Sequence, residues 1–437
     1  VRTVVLWSFL TGSLAAQDTA WLFRDVSVRP SPRSGRTLTF QGHSGKALLF
    51  SENILSNDTW EWDGADWTLL TPAISPLRRH GAAAAYDPSR RKTVLFSGET
   101  GLAPTNDTWE WDGINWQQKN PVHRPSPRVG HAMVFDPVRQ RVVLYGGLDD
   151  GRLPDDTWTW DGTDWTQVAI GSPPGRQFHA MAFDEARAVV VLFGGISMQG
   201  LLNDTWEWDG STWRNVTLSP APRPRLQHAM AYHTVRHRVI LFGGNAQFGG
   251  GFLNETLEWD GASRTWILLQ PVANPGPRIN HGLVYDRWRS RMVLFGGFYS
   301  SNLDETWTFS EIPLTAWPVD PTPGQTITLL LNSVRDPGAG YVLACSFSRI
   351  PGIPILPDGR VISLGPDLLL FWSMGSLVPP FLGFQGGLNG SGWAQASILL
   401  PAEPALGGLR FFVSGFVYDA LGVRTVLNEV ELRVRSS

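Results

Sequence analysis

The chain has 437 residues, 42% of them hydrophobic and 17% charged, and 36 Lys and Arg against 39 Asp and Glu leave a formal charge of −3. Such a length holds two or three domains with ample core. The near-neutral balance, free of basic runs, excludes nucleic acid or an anionic membrane surface as the main partner, and a single cysteine, Cys345, excludes any intrachain disulfide or multi-cysteine metal site.

Residues 1–16 read VRTVVLWSFLTGSLAA: one positive charge at Arg2, an apolar run from Val4 to Leu10, then small residues at Ser13, Ala15 and Ala16. This is the pattern of a signal peptide, cleaved after Ala15 or Ala16, and it predicts a secreted, periplasmic or cell-surface protein. The apolar run is shorter than the roughly 20 residues a spanning helix needs. No later stretch reaches that length without charges or turn residues, so no membrane span is expected.

From Trp21 onward the chain is periodic. The segments 57–67 (NDTWEWDGADW), 106–116 (NDTWEWDGINW), 155–165 (DDTWTWDGTDW) and 203–213 (NDTWEWDGSTW) are near copies, with weaker ones at 254–266 and 304–309. Their shared threonines, Thr59, Thr108, Thr157, Thr205, Thr256 and Thr306, are separated by 49, 49, 48, 51 and 50 residues. An upstream block ending in a double glycine recurs at 130–147, 178–195, 227–244 and 280–297, with a looser copy at 81–98 and a degenerate first one at 36–51.

Each unit contains four short runs of period two: 131–135, 141–145, 157–160 and 165–168 in the third unit. Asp-Gly pairs at 112–113, 161–162 and 209–210 predict two-residue hairpin turns between the last two runs, hence an antiparallel meander. A lone sheet of this kind cannot bury both faces, so the units must stack around an axis. Sixteen of the 21 tryptophans fall at repeat positions and are expected to wedge between neighbours.

These residues resemble Kelch repeats, in which a double glycine is followed by spaced aromatics and each repeat of about 50 residues forms one propeller blade. The resemblance covers about residues 21–317 and implies an all-β fold, a six-bladed propeller of the exported bacterial type. The sixth unit lacks its fourth run, whereas residues 21–33 (WLFRDVSVRPSPR) match 116–128 (WQQKNPVHRPSPR). The segment Trp21–Val28 is therefore predicted to pair with the strand holding Thr306–Phe309 and close the ring.

The connections between the second and third runs and between successive units are long, and an up-and-down meander brings them to the same face. The former also vary: 147–154, 195–202, 244–253 and 297–303. Length variation on a constant scaffold marks this as the ligand face, with Asp149, Asp150, Phe248 and Tyr299 as candidate contacts. A second candidate set is an arginine ring. Arg33, Arg79, Arg128, Arg176, Arg225 and Arg278 share one repeat position, and three residues later stand Arg36, Ala82, His131, His179, His228 and His281. Guanidiniums crowning a channel suit a carboxylate or an anionic sugar, but a feature repeated in most units more often serves the repeat than a site, which favours a structural role for the arginines. The histidines lie in phase with Met and Phe or Tyr, which predicts buried packing between blades and no metal site. Asp58, Asp107, Asp156 and Asp204 each begin a third strand and read as turn residues.

From Pro318 the composition changes. Residues 318–324 (PVDPTPG) read as a linker, and the apolar runs of 325–437, separated by Asp-Pro-Gly and Pro-Asp-Gly turns, predict a β-sandwich of immunoglobulin-like type, with Cys345 in an apolar strand.

Two functions are compatible with this sequence. One is a non-catalytic exported module that binds protein or glycan on its long-loop face, without a cofactor. The other comes from the resemblance, which extends to the exported sialic-acid mutarotases, six-bladed Kelch proteins that use Arg, Glu and His. No acid–base pair can be named for that chemistry, Glu99 and Glu255 being the nearest candidates. The resemblance to copper radical oxidases such as galactose oxidase implies a cysteine–tyrosine cofactor in the propeller, and Cys345 lies outside it.

Overall fold

The structure is a computed structural model that describes residues 19–50, 56–101, 103–168, 173–247, 251–271 and 274–311, and a set of strands between 314 and 433. The segment read as a signal peptide lies outside the described residues, as do Phe248 and the proposed 318–324 linker. Among the described residues no helix is long and apolar enough to cross a membrane.

Residues 19–311 form six four-stranded antiparallel sheets arranged as propeller blades. Blade 3 shows the pattern: inner strand Ala132–Asp136, then Arg141–Tyr145, Thr157–Trp160 and the outer strand Trp165–Val168. The second strand is a β-branched and aromatic run whose residues 142–145 are at most 1% exposed, as a strand covered on both faces requires. The inner strand is shifted one residue from the predicted 131–135, and Gly130, two residues before its start, turns the chain at φ 69°. The outer hairpin also differs from the predicted Asp-Gly loop. Trp160 pairs with Trp165, and the Asp161 N–H donates to the Asp164 carbonyl at 3.3 Å, so the two loop residues are Gly162 and Thr163. Asp161 instead turns the chain with its carboxylate, which accepts the N–H groups of Thr163 and Asp164.

Blades pack by alternating residue size. On the inner strands of blades 3 to 6 one phase carries small side chains toward the following blade and the other carries large ones toward the preceding blade, and blade 2 keeps the small phase. Ala83 and Ala85 thus meet Met133 and Phe135, and Ala180 and Ala182 meet Met230 and Tyr232. Further out, every outer-strand tryptophan donates its indole N–H to the third-strand threonine of the preceding blade. Trp116 bonds Thr59 at 3.0 Å, Trp165 bonds Thr108 at 2.9 Å, Trp213 bonds Thr157 at 2.9 Å and Trp266 bonds Thr205 at 2.9 Å. The wedge tryptophans are thereby satisfied as well as buried, so their polar atom costs nothing to enclose.

The same bond closes the ring, with Trp67 donating to Thr306 at 2.8 Å and Trp21 to Thr256 at 2.9 Å. Thr19–Arg24 is the outer strand of blade 6 and pairs with Thr306–Glu311 in the register Trp21↔Phe309. It is shorter at its far end than the predicted Trp21–Val28, because Arg24 already lies opposite Thr306, where the partner strand begins.

Beyond the propeller, Leu314–Trp317, Thr326–Asn332, Trp393–Leu399 and Phe381–Leu382 form one antiparallel sheet. Gln385–Gly387, Gly340–Ser346, Arg410–Asp419 and Gly422–Arg433 form another, with Cys345 on its second strand. Leu314–Trp317, read from sequence as the end of the propeller, pairs with the tail strand Thr326–Asn332.

Candidate functional site

The arginine ring is built into the blades. Each guanidinium is 0–1% exposed and pairs with the acidic residue that precedes the third strand of its own blade. Arg128 is representative: Nη1 and Nη2 donate to the two Asp156 oxygens at 2.7 and 3.0 Å, Nη1 also donates to the Gly146 carbonyl at 3.0 Å, and Nε donates to the Ser126 carbonyl at 3.0 Å. Arg79 with Asp107 and Arg176 with Asp204 repeat the fork, and Arg33 with Asp58 forms it too. In blades 5 and 6 a glutamate takes the place of the aspartate, Glu255 receiving Arg225 and Glu305 receiving Arg278, both at 2.6 Å. Guanidiniums so enclosed are engaged within their own blades. Asp58, Asp107 and Asp156 are likewise more than turn residues: beyond the arginine, each accepts the indole N–H of the tryptophan two residues on.

Burial opposes ionisation of Asp107 and Asp156, but the hydrogen bonds and charge of Arg79 and Arg128 outweigh it, so both carboxyls titrate below the ordinary range. Removing one partner leaves the other charged and enclosed. Arg128→Ala is expected to cost about 3–5 kcal/mol of unfolding free energy in urea titrations. Arg128→Lys should recover only part of this, because an ammonium cannot form the planar fork. A loss below about 1 kcal/mol for Arg128→Ala would show that the pair does not support the blade.

The double glycines make room for the next unit. A Cβ on Gly146 would lie 2.5 Å from the Arg176 carbonyl and 3.1 Å from the His179 ring. The N–H of Gly147 donates to that carbonyl at 2.9 Å. His179 stacks edge-on against Tyr145 of the preceding blade at 5.5 Å, and His131, His228 and His281 do the same against Phe96, Phe193 and Phe242. The four rings are 0–6% exposed, which fits the packing role expected for them. Among the described residues no group of three or more His, Cys, Asp or Glu is arranged to hold a metal ion.

The inner strands enclose a central channel of about 500 Å³, lined by alanines, methionines, the four histidines and Arg36. At the histidine end a belt of backbone hydrogen bonds runs round it. The N–H of Gly35 donates to Asn280, Asn280 to Gln227, Gln227 to Phe178, Phe178 to Gly130 and Gly130 to Gly81, at 2.7–2.9 Å. At the opposite end Arg287 and Glu185, from blades 6 and 4, form a half-exposed ion pair at 2.6 Å.

The two classes of long connection do share a face. Within single blades the residue pairs His80↔Glu99, Val129↔Leu148, Gln177↔Ile196, Leu226↔Asn245 and Ile279↔Phe298 bridge one class to the other. On this face Asp149 closes a small turn with Arg152, Asp150 is exposed at its tip with φ 43°, and Glu99 lies 3.3 Å from His80. Tyr299 is 48% exposed and Phe298 36%. Phe252, from the loop of blade 5, meets them edge-on at 5.6 and 6.4 Å. The structure thus joins Tyr299 to an aromatic cluster across two blades; Phe252 and Phe298 were missed in the sequence because their neighbourhood depends on blade order.

Residues 115–270 match the family model of the KLHDC2/KLHL20/DRC7 Kelch-repeats domain. No curated protein matches the chain.

Proposed function

Taking the six-bladed Kelch propeller as a protein-interaction scaffold, we propose that this chain is an exported, non-catalytic binding protein whose loop face holds a protein or glycan ligand. The observation that carries this reading is the aromatic cluster of exposed Phe298 and Tyr299 with half-buried Phe252 on the face where loop length varies. Aromatic side chains bring large contact area at small entropic cost, and they are enriched at the energetic centres of interfaces. Elsewhere in the blades the repeated aromatics and arginines are enclosed and committed to packing. Export is supported by the leader pattern of residues 1–16, and the tail, with its two antiparallel sheets, suits a sandwich-type spacer between the propeller and its surroundings.

The test is a pull-down and glycan-array screen with the full chain, repeated with the double variant Phe298→Ala, Tyr299→Ala. The variant is expected to weaken the recovered ligand at least tenfold while leaving the unfolding midpoint within about 2 °C, because both side chains are substantially exposed. Retained affinity would move the site off this cluster.

A further inference from the structure

Every outer strand leaves the same two positions in water, the two residues that follow its wedge tryptophan. In blades 2, 3 and 4 they are polar: Gln117 and Gln118, Thr166 and Gln167, Arg214 and Asn215. In blades 5 and 6 they are Ile267 and Leu268, and Leu22 and Phe23, which are 40–48% exposed. Blade 1, on the other side of blade 6, has one of each, Thr68 and Leu69. The four-stranded ladder recurs in all six blades, so the fold itself does not ask for apolar residues at these positions. An outer strand is also the edge of its sheet, and such edges are ordinarily blunted by charge or covered, because apolar ones pair with other chains.

A cover is close by in the chain. The strand Thr306–Glu311, partner of Thr19–Arg24, ends two residues before the first tail strand, Leu314–Trp317. Three Cα steps span about 11 Å at most, so the tail is tethered beside the outer strand of blade 6. So short a link gives an effective concentration on the order of millimolar, at which even a modest apolar contact is populated. We propose that the outer strands of blades 5 and 6 are the docking surface for the tail of the same chain, residues 314–433, with Leu22, Phe23, Ile267 and Leu268 as the contacts on the propeller side.

The chemistry of the tail matches that surface. Residues 368–402 hold no charged side chain. Yet this run supplies strands to both tail sheets, Phe381–Leu382 and Trp393–Leu399 to one and Gln385–Gly387 to the other. A domain of two antiparallel sheets standing alone shows one face of each to water, and a soluble surface is ordinarily about a quarter to a third charged. An uncharged run of this length in both sheets lacks the groups for such a surface. The apolar rim of the propeller and the uncharged part of the tail therefore relieve the same cost when they meet, by removing each other from water.

The experiment is photo-crosslinking in the full chain, with p-benzoylphenylalanine replacing Phe23 and, as the control, Gln118, its counterpart on blade 2. The probe at Phe23 is expected to give adducts within one chain to peptides of 314–433, in about tenfold excess over the control. Adducts that join two chains would mean that a second copy takes the surface, and adducts confined to the propeller that it stands open; either overturns the proposal. The same probe at Leu268 is expected to reach the tail, and to lose about fivefold of that yield when Leu22→Gln and Phe23→Gln give blade 6 the pair that blade 2 carries. An undiminished yield in that variant shows that the apolar side chains do not hold the tail, which also overturns the proposal. If the double substitution unfolds the blade, the single replacements at Phe23 and Gln118 still decide the matter. None of these readouts involves the loop-face ligand, so the two proposals fail independently.

Discussion

Deleting Thr19–Arg24 is expected to lower the thermal unfolding midpoint by about 10 °C or more. The segment supplies the outer strand of blade 6, six paired residues facing Thr306–Glu311. It also supplies Trp21, which is 1% exposed, packs at 5.0 and 5.1 Å on Phe242 and Phe309, and donates to Thr256. Truncating a fully buried tryptophan costs about 3–5 kcal/mol, and in a domain of this size each kcal/mol moves the midpoint by about 2–4 °C. Losing the strand adds a new sheet edge and bares Phe309, which is 0% exposed in the intact ring, and this invites self-association. Trp21→Ala alone should account for a large part of the fall, because the indole is the wedge and the remaining residues mainly extend the ladder. Calorimetry on the parent, the deletion and Trp21→Ala checks this. An unchanged midpoint for the deletion would mean that the ring is held shut without its borrowed strand.

Stability is also expected to fall steeply on mild acidification, from about pH 6.5 downward. His131, His179, His228 and His281 are held below the ordinary imidazole pKa by burial and by nearby arginines, His281 at about 3. In the unfolded chain they protonate near 6.5. Below that pH the unfolded state binds protons that the folded state refuses, so unfolding free energy rises with pH through this window and levels off above it. Each histidine contributes about 1.4 kcal/mol per pH unit once its unfolded form is fully charged, and four approach about 5.5 kcal/mol per unit. The depressed carboxyls Asp58, Asp107, Asp156 and Glu305 act with the same sign but only below about pH 4, the range of the unfolded carboxyl. The two sets therefore separate in urea titrations at pH 7.5, 6.5, 5.5 and 4.5. His179→Gln should remove about one proton from the slope between pH 6 and 5. A midpoint indifferent to pH from 7 to 5 would show that the rings are solvated in the folded state.

The site was less readable than the fold because its parts come from different repeats. A residue present in every unit, such as the arginine at 128 or the aspartate at 156, has a partner at a constant spacing. The charge pairing could have been read from Asp58, Asp107, Asp156 and Asp204 together with Glu255 and Glu305, which follow the arginines at near-constant distance and keep an acid even where the side chain lengthens. Arg36 and Phe178 carry no such signal. Their contact joins blade 1 to blade 4, and only the order and closure of the ring put them together. The Phe252, Phe298 and Tyr299 cluster is of the same kind.

What the amino-acid order determined was local and periodic: the meander of four strands, the tryptophan wedges, the sixfold count and the donation of the first strand to the last blade. Each follows from patterns of period two or about fifty residues, and a repeated unit must bury the same faces each time. What the tertiary structure alone decided was which polar groups face inward and which outward. In the sequence the arginines fit either a binding ring or a structural repeat position; in the structure a guanidinium fork 28 residues upstream of a carboxylate finds it within the same blade and is buried. The imidazoles are enclosed as well, each edge-on to an aromatic ring of the preceding blade where they line the channel. Whether a charged group is consumed or left available depends on distances across the closed ring, and the linear order does not contain those distances.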